Sequence, residues 1–410
     1  MATVVERTLV RRIPICVLVI ALVMGLATPV GATSGWSIVK SANNPTNFNF
    51  LYDVSCVSST RCVAVGVGLN AIGNADVTLT EVRNGGAWTV VPSPNPGGTW
   101  NFLTGVSCIS STSCMAVGRY ETPNGTNQTL AEYWNGKRWA FTPPVNLGTF
   151  NNALSGVSCV SLTSCVAVGS WTSVSSGITQ PLVEQWNGKH WSVASTPNTP
   201  KTRVAGLNNV SCRTVASTGD TACLAVGSSM NLHEKVQHTF VEHLGLRGWS
   251  ILTSPNLGTS DNVFSDVSCI TYGECFLVGN YTPADQPGIT RTLTAKWDGT
   301  WRLAEAPSPG TALSVLSGVS CVATTCEAVG WYQDKGSDRR KPLVERLSKS
   351  VWKAISTPNP PAGTKQDNYL GGITGAGLYG VSCPSISSCH TAGFQDDSKG
   401  HDQTLITRLG

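Results

Sequence analysis

Charge is scarce in this 410-residue chain. Only 13% of the residues are Asp, Glu, Lys or Arg, roughly half the share of an ordinary soluble domain. The formal net charge is +4, which is not the basic footprint of a nucleic-acid binder. Histidine (6) and methionine (4) are rare too. His233, His238 and His243 lie five apart, so successive rings face opposite sides of a strand and do not converge on a metal. The sequence has no Walker loop, no HExxH and no GxSxG, which leaves nucleotide, zinc-protease and α/β-hydrolase chemistry without a motif. Helical periodicity is missing, and no long apolar run follows the first 32 residues. Helical folds and a second membrane span are thereby excluded. No cofactor and no metal are expected.

The apolar run that does exist is N-terminal. Arg7, Arg11 and Arg12 precede a stretch from Ile13 to Leu26, and Val30-Gly31-Ala32 offers small residues for cleavage. Residues 1–32 read as a secretory signal peptide. A retained anchor is the alternative, disfavoured by Pro14 and by the cleavage site. Cys16 leaves with the signal. The expectation is a secreted, extracellular protein that does not span the membrane and is monomeric.

The other cysteines are plentiful and ordered. They pair as Cys56 with Cys62, Cys108 with Cys114, Cys159 with Cys165, Cys212 with Cys223, Cys269 with Cys275, Cys321 with Cys326 and Cys383 with Cys389. Each first cysteine follows Val-Ser, and each second one opens an apolar run ending in glycine. First cysteines recur every 51 to 62 residues, a period that suggests propeller blades. Within one period, residues 103–109 and 114–120 read as strands A and B. Residues 128–134, with Leu130, Glu132 and Trp134 on one face, read as strand C. Asn135-Gly136 marks a tight turn, and Trp139 starts strand D, which ends before Pro143.

Cysteines flanking the short A–B connection face each other at a Cα separation of roughly 4.5–5.5 Å, within disulfide range. Zinc is the weaker alternative, because the usual spacing of the pairs is wider than C-x2-4-C and no histidine recurs beside them. Seven local disulfides suit an oxidising compartment.

The fold class follows as all-β. It is a seven-bladed β-propeller of four-stranded antiparallel blades, with one disulfide per blade. A single domain of residues 33–410 is expected. Its blades cover about 51–92, 103–143, 154–197, 207–255, 264–307, 316–358, and 378–410 plus 35–42. The last blade is composite because strand D carries Trp88, Trp139, Trp191, Trp249, Trp301 and Trp352, one short of seven. Trp36 supplies the seventh. The N-terminal strand should therefore close the last blade.

With Trp134-Asn-Gly-Lys-Arg-Trp139 and Trp297-Asp-Gly-Thr-Trp301 at the strand C to D turn, the repeat resembles that of BNR/Asp-box, sialidase-like propellers. Asp298-Gly299-Thr300-Trp301 comes nearest to their motif and is one residue short of its spacing. The Val-Ser-Cys…Cys-x-Ala-Val-Gly unit also resembles repeats of uncharacterised secreted actinobacterial proteins. The first resemblance implies a propeller and raises a sialidase-like glycoside hydrolase or lyase as one reading. Such a site would gather arginines around a carboxylate, and Arg203, Arg291, Arg339 and Arg340 are the candidates.

Residues that recur in every repeat are structural by default; a catalytic serine does not need seven copies. A ligand site should therefore lie where the repeats differ, on the face carrying the B–C and D–A connections. The aromatic candidates there are Trp100, Tyr120, Trp171, Tyr281, Trp331 and Tyr332, which either pack between blades or form a sugar platform. Asp396 opens an acidic loop that either is solvated or holds calcium. The reading is a secreted non-catalytic binding module, with glycan or another extracellular protein as partner and no nucleic acid. Catalysis and a protein–protein scaffold stand as alternatives.

Overall fold

The computed structural model describes residues 35–148, 150–197, 203–360 and 374–410. The expected signal peptide lies outside these residues. Among them there is no helix. Strands form five four-stranded antiparallel sheets and one eight-stranded sheet. The larger sheet is two further units joined by a short parallel bridge, with Arg339 and Arg340 beside Thr374 and Gly375. The innermost strands are Asn49–Ser58, Asn101–Ser110, Asn152–Ser161, Arg203–Thr214, Asn262–Thr271, Leu313–Val322 and Thr374–Ser385. Each lies against the next, and the seventh lies against the first. Four-stranded meanders arranged this way are the blades of a β-propeller.

The inner strands run ten to twelve residues, longer than the roughly five-residue strands typical of globular sheets. A bulge makes the extra length possible. In the first blade the register slips between Leu51 and Asp53, and the other six blades slip at the matching place. The glycine ending each apolar run answers to this bulge. A Cβ on Gly66 would stand 1.9 Å from the Phe50 carbonyl oxygen, and the six equivalents meet the same atom at 1.9 to 2.1 Å. Close backbone approach, not a positive φ, demands glycine here.

All seven disulfides join the expected local partners. Cys56 is bonded to Cys62, Cys108 to Cys114, Cys159 to Cys165 and Cys212 to Cys223. Cys269 is bonded to Cys275, Cys321 to Cys326 and Cys383 to Cys389. The expected spacing needs correction. Cα separations of 3.9 to 4.1 Å are tighter than the ladder spacing anticipated. The two cysteines of a pair are also not equivalent. The second one, at the start of strand B, is buried in every blade: Cys62, Cys114, Cys165, Cys223, Cys275, Cys326 and Cys389. The first one is buried only at Cys212 and Cys269 and half-buried elsewhere. The serine before each first cysteine works between blades, not within its own hairpin. Cys108 N–H donates to Ser55 Oγ of the preceding blade, and the pattern repeats around the ring to Cys56 N–H on Ser382 Oγ.

The core is divided the same way. One apolar cluster fills each blade-to-blade interface, such as Val65, Leu103 and Trp139 between the first two blades. Strand Trp36–Val39 pairs antiparallel with Asp402–Leu409, Trp36 opposite Leu409. Trp36 is buried like Trp88, Trp139, Trp191 and Trp352, while Trp249 and Trp301 are half-buried.

Candidate functional site

Antiparallel pairing puts A–B and C–D turns on one face, the turn face. B–C and D–A connections form the other, the loop face. The axis between them is lined by the bulges. At the residue after each bulge stand Asp53, Gly105, Gly156, Asn209, Asp266, Gly318 and Gly380. Asp53 accepts Val54 N–H (2.8 Å) and, from the next blade, Val106 N–H (2.9 Å). Asp266 does the same with Val267 and Val319 and also accepts from Asn209 Nδ2. Burial pushes the Asp53 carboxyl up to about 7. Burial, with the Asp53 charge adding, pushes Asp266 up to about 8. These carboxyls clamp inner strands together.

The bulge residues themselves are Tyr52, Thr104, Ser155, Asn208, Ser265, Ser317 and Tyr379. Five are small or polar, and Thr104 and Asn208 donate to carbonyls of the next blade. The two tyrosines occupy neighbouring blades and build an aromatic knot with Phe50 and Phe394. Phe50 stacks on Phe394 at 4.9 Å and meets Tyr379 at 4.9 Å. Burial raises the Tyr52 phenol to about 12. Arg340 Nη1 donates to Tyr379 Oη (3.0 Å), and its guanidinium lies 3.7 Å from the Trp331 ring centre.

The predicted site residues are dispersed by this arrangement. Trp331 is 9% exposed under Arg340. Tyr332 is half-buried, with Lys341 Nζ 5.4 Å from its ring. Tyr281 packs on the interface between the fourth and fifth blades. Arg291 donates to Gly310 O (2.9 Å) and to Gln286 Oε1. Arg339 is half-buried. Asp396 is buried and accepts the Gly375 N–H. The side chain of Arg203 falls outside the described ones.

The other three lie on the loop face of the second and third blades, Tyr120 packed on the interface of the first and second blades and Trp171 on that of the second and third. Trp100 is 53% exposed and meets Phe102 edge-on at 6.2 Å. Arg119 sits 5.2 Å from the Phe102 ring centre. Tyr120 is half-buried against Phe141. Trp171 lines a cleft of about 220 Å³ with Leu147, Gln180, Pro181 and Thr196. Phe150, between them in the chain, is 48% exposed.

Comparison with solved structures supports the fold. The chain is similar to YCF48 bound to D1 peptide (TM-score 0.51, 12% identity, 91% of this chain and 96% of that one). It is also similar to the PL25 ulvan lyase bound to a GlcA-Rha3S saccharide (0.53, 10%, 88% and 94%). A third similar structure is the GH74 xyloglucanase from Xanthomonas campestris (0.52, 12%, 90% of this chain and 55% of that one). At such identities the likeness is one of fold. No protein-family model matches the chain, and no curated protein does.

Phe102, Arg119, Tyr52 and Tyr379 were not singled out by the sequence reading. Aligning the seven repeats makes the tyrosines visible, because they replace Thr, Ser or Asn at one fixed position. The only described group of three close metal-type side chains is Cys56, Cys62 and His390. Its two sulfurs are bonded to each other. His390 Nε2 is 2.7 Å from Arg83 Nη1, and burial followed by the charges of Arg83 and Arg408 lowers its imidazole to about 4. A neutral imidazole wedged between two cations belongs to the seam between the last and first blades.

Proposed function

We propose that this chain is a secreted, non-catalytic carbohydrate-binding module. In this reading residues 33–410 form one seven-bladed, monomeric propeller closed by the N-terminal strand. The exposed Trp100, with half-buried Phe102 and Arg119 beside it and half-buried Trp171 on the same loop face, forms the arc that carries the reading. The half-exposed Trp100 indole offers a flat apolar face to the C–H side of a sugar ring, and the neighbouring Arg119 supplies hydrogen-bond donors. The Trp171 cleft is part of the same loop face. Seven disulfides suit an extracellular setting, and no helix among the described residues is long and apolar enough to cross a membrane. Two similar folds, the xyloglucanase and the ulvan lyase, are polysaccharide enzymes, which agrees with a carbohydrate ligand.

Binding is favoured over sialidase-like catalysis by the state of the arginines. Arg340 is spent on Trp331 and Tyr379, and Arg291 on Gly310 and Gln286, so a clamp for a substrate carboxylate would have to break these contacts. The Asp298 turn keeps the sialidase-like resemblance as a matter of blade layout: its carboxylate holds Thr300, Lys296 and Arg302 on the turn face.

The test is a polysaccharide and glycan-array screen with fluorogenic glycosides run in parallel. Binding should appear without turnover, and Trp100→Ala and Trp171→Ala should each weaken it by about tenfold or more. Multiple-turnover glycoside cleavage by the purified chain would overturn the non-catalytic reading. Binding indifferent to both tryptophans would overturn the site.

A further inference from the structure

The turn face is not uniform. Six cysteine pairs are five or six residues apart, but Cys212 and Cys223 are eleven apart. The longer A–B loop leaves the framework untouched. Cys212 still faces Cys223 in register, Cys212 N–H still donates to Ser158 Oγ, and Ser211 Oγ still accepts from Cys269. The added residues take no part in this serine–cysteine ring, and only Thr221 at their end reaches the preceding blade, sharing a hydrogen bond with Ser164 Oγ (3.1 Å). They fold into a compact turn of their own: Val215 N–H donates to Asp220 O, Gly219 N–H to Val215 O, and Asp220 N–H to Thr218 Oγ1.

Two exposed apolar side chains meet this loop. The C–D turn of the same blade carries Leu246, 81% exposed, the most exposed large apolar side chain among the described residues. The matching turns of the second and third blades carry Lys137 and Lys189 after their glycines. The A–B tip of the next blade carries Tyr272, 51% exposed and leaning over His243 at 6.4 Å, an aromatic ring at a position that is Ser59, Ser111, Leu162 or Ile386 in other blades. Together they enclose a groove of about 420 Å³ lined by Val215, Ser217, Asp220, Thr221, Leu246 and Tyr272. That size falls in the range of roughly 300–1,000 Å³ usual for small-ligand clefts.

We infer that this groove between the fourth and fifth blades is a second binding site, for a single neutral sugar ring. The long A–B loop and the exposed Leu246, both peculiar to the fourth blade, meet the exposed ring of Tyr272 there. Tyr272 and Leu246 supply the apolar walls for the C–H face of a pyranose. Ser217 and the exposed Asp220 carboxylate supply hydrogen bonds to its hydroxyls. The one ionised group in the lining is negative, so uronic and sialic acids are repelled.

The site is independent of the Trp100–Trp171 arc on the other face, and so is its test. Methyl glycosides of glucose, galactose and mannose, with methyl glucuronoside as the charged control, would be titrated into the full disulfide-bonded chain by saturation-transfer NMR. At least one neutral glycoside should bind in the millimolar range. Tyr272→Ala and Asp220→Asn should each weaken it by about tenfold, while Trp171→Ala leaves it unchanged. Both altered residues are exposed, so an unchanged melting temperature is expected and would confirm the fold of the variants. No binding by any neutral glycoside, binding that survives Tyr272→Ala, loss caused by Trp171→Ala, or equal binding of the glucuronoside would each overturn the inference. Failure of the loop-face arc alone would leave these outcomes unaffected.

Discussion

Five glutamates sit at one repeated place in strand C, and their fates differ through a single atom. Ala42 N–H donates to Glu81 Oε2 (3.0 Å), and Val145 N–H donates to Glu184 Oε2 (2.8 Å). Both donors lie six residues after a strand D tryptophan of the preceding blade. In front of Glu132, Glu242 and Glu345 the same position is Pro94, Pro197 or Pro307, which has no N–H to give. Glu242 and Glu345 accordingly have both oxygens buried without a hydrogen bond. Burial raises them to about 8, against about 7 for Glu81 and Glu184.

The sign of the consequence is fixed. A carboxyl whose pKa is higher folded than unfolded holds a proton that the unfolded chain releases, so stability falls as pH rises between the two values. Asp53 and Asp266 add to the same trend. His390, lowered to about 4, and His243, lowered by burial, oppose it, and the stability His390 contributes is lost as pH falls from the usual imidazole range through 4. The melting temperature should therefore decline from about pH 5 to pH 8. Glu242→Gln with Glu345→Gln should flatten the decline and be more stable than the parent above pH 8. A melting temperature that rises across this interval would refute the assignment of these carboxyls as protonated.

At the level of strands, the serine ring makes each inner strand depend on the one before it. In Ser107→Ala the Cys159 N–H loses its partner at a half-buried position. Leaving such a donor unsatisfied costs about 1–3 kcal/mol. Ser110→Ala, at an exposed hairpin tip with only a local contact to Thr112, should cost well under 1 kcal/mol. Chemical denaturation of the two variants would separate them, and equal midpoints would remove the ring from the account of stability.

The serine's partner could not be read from the sequence, although its sevenfold recurrence pointed to structure. The cysteine pairs, the period and Trp36 were readable because each is a local pattern repeated at fixed intervals. The bulge was not, since one extra residue per inner strand breaks the alternation that reveals strands. Dispersal of Tyr281, Trp331 and Tyr332 into packing was hidden for a related reason. A position one or two residues past a glycine says which face of a blade a ring takes, not how close the next blade comes. The turn-face groove was half-visible as a ten-residue gap between Cys212 and Cys223, but Leu246 and Tyr272 join it only through the neighbouring blade.

For the whole molecule, the Trp36–Val39 strand is the element on which the proposed closure rests. Beyond its ladder with Asp402–Leu409, Ser41 and Asn43 reach Thr404 just past it, and Ala42 reaches Glu81 of the first blade. Deleting residues 35–42 should lower the melting temperature and promote oligomers, because Asp402–Leu409 becomes an open edge. Deleting residues 361–368 should do neither. A shortened chain that stays monomeric with its melting temperature intact would mean the ring is held some other way. Trp36 opposite Leu409 also makes this pair a C–D hairpin lacking only its turn, while every other blade keeps that turn covalent. On the proposed closure the polypeptide is a circle cut at one stitch. A short splice between Gly410 and Gly35 would then turn a seam held by hydrogen bonds into one held by the backbone, and the chain could be opened at the C–D turn of another blade with its strand ladders kept.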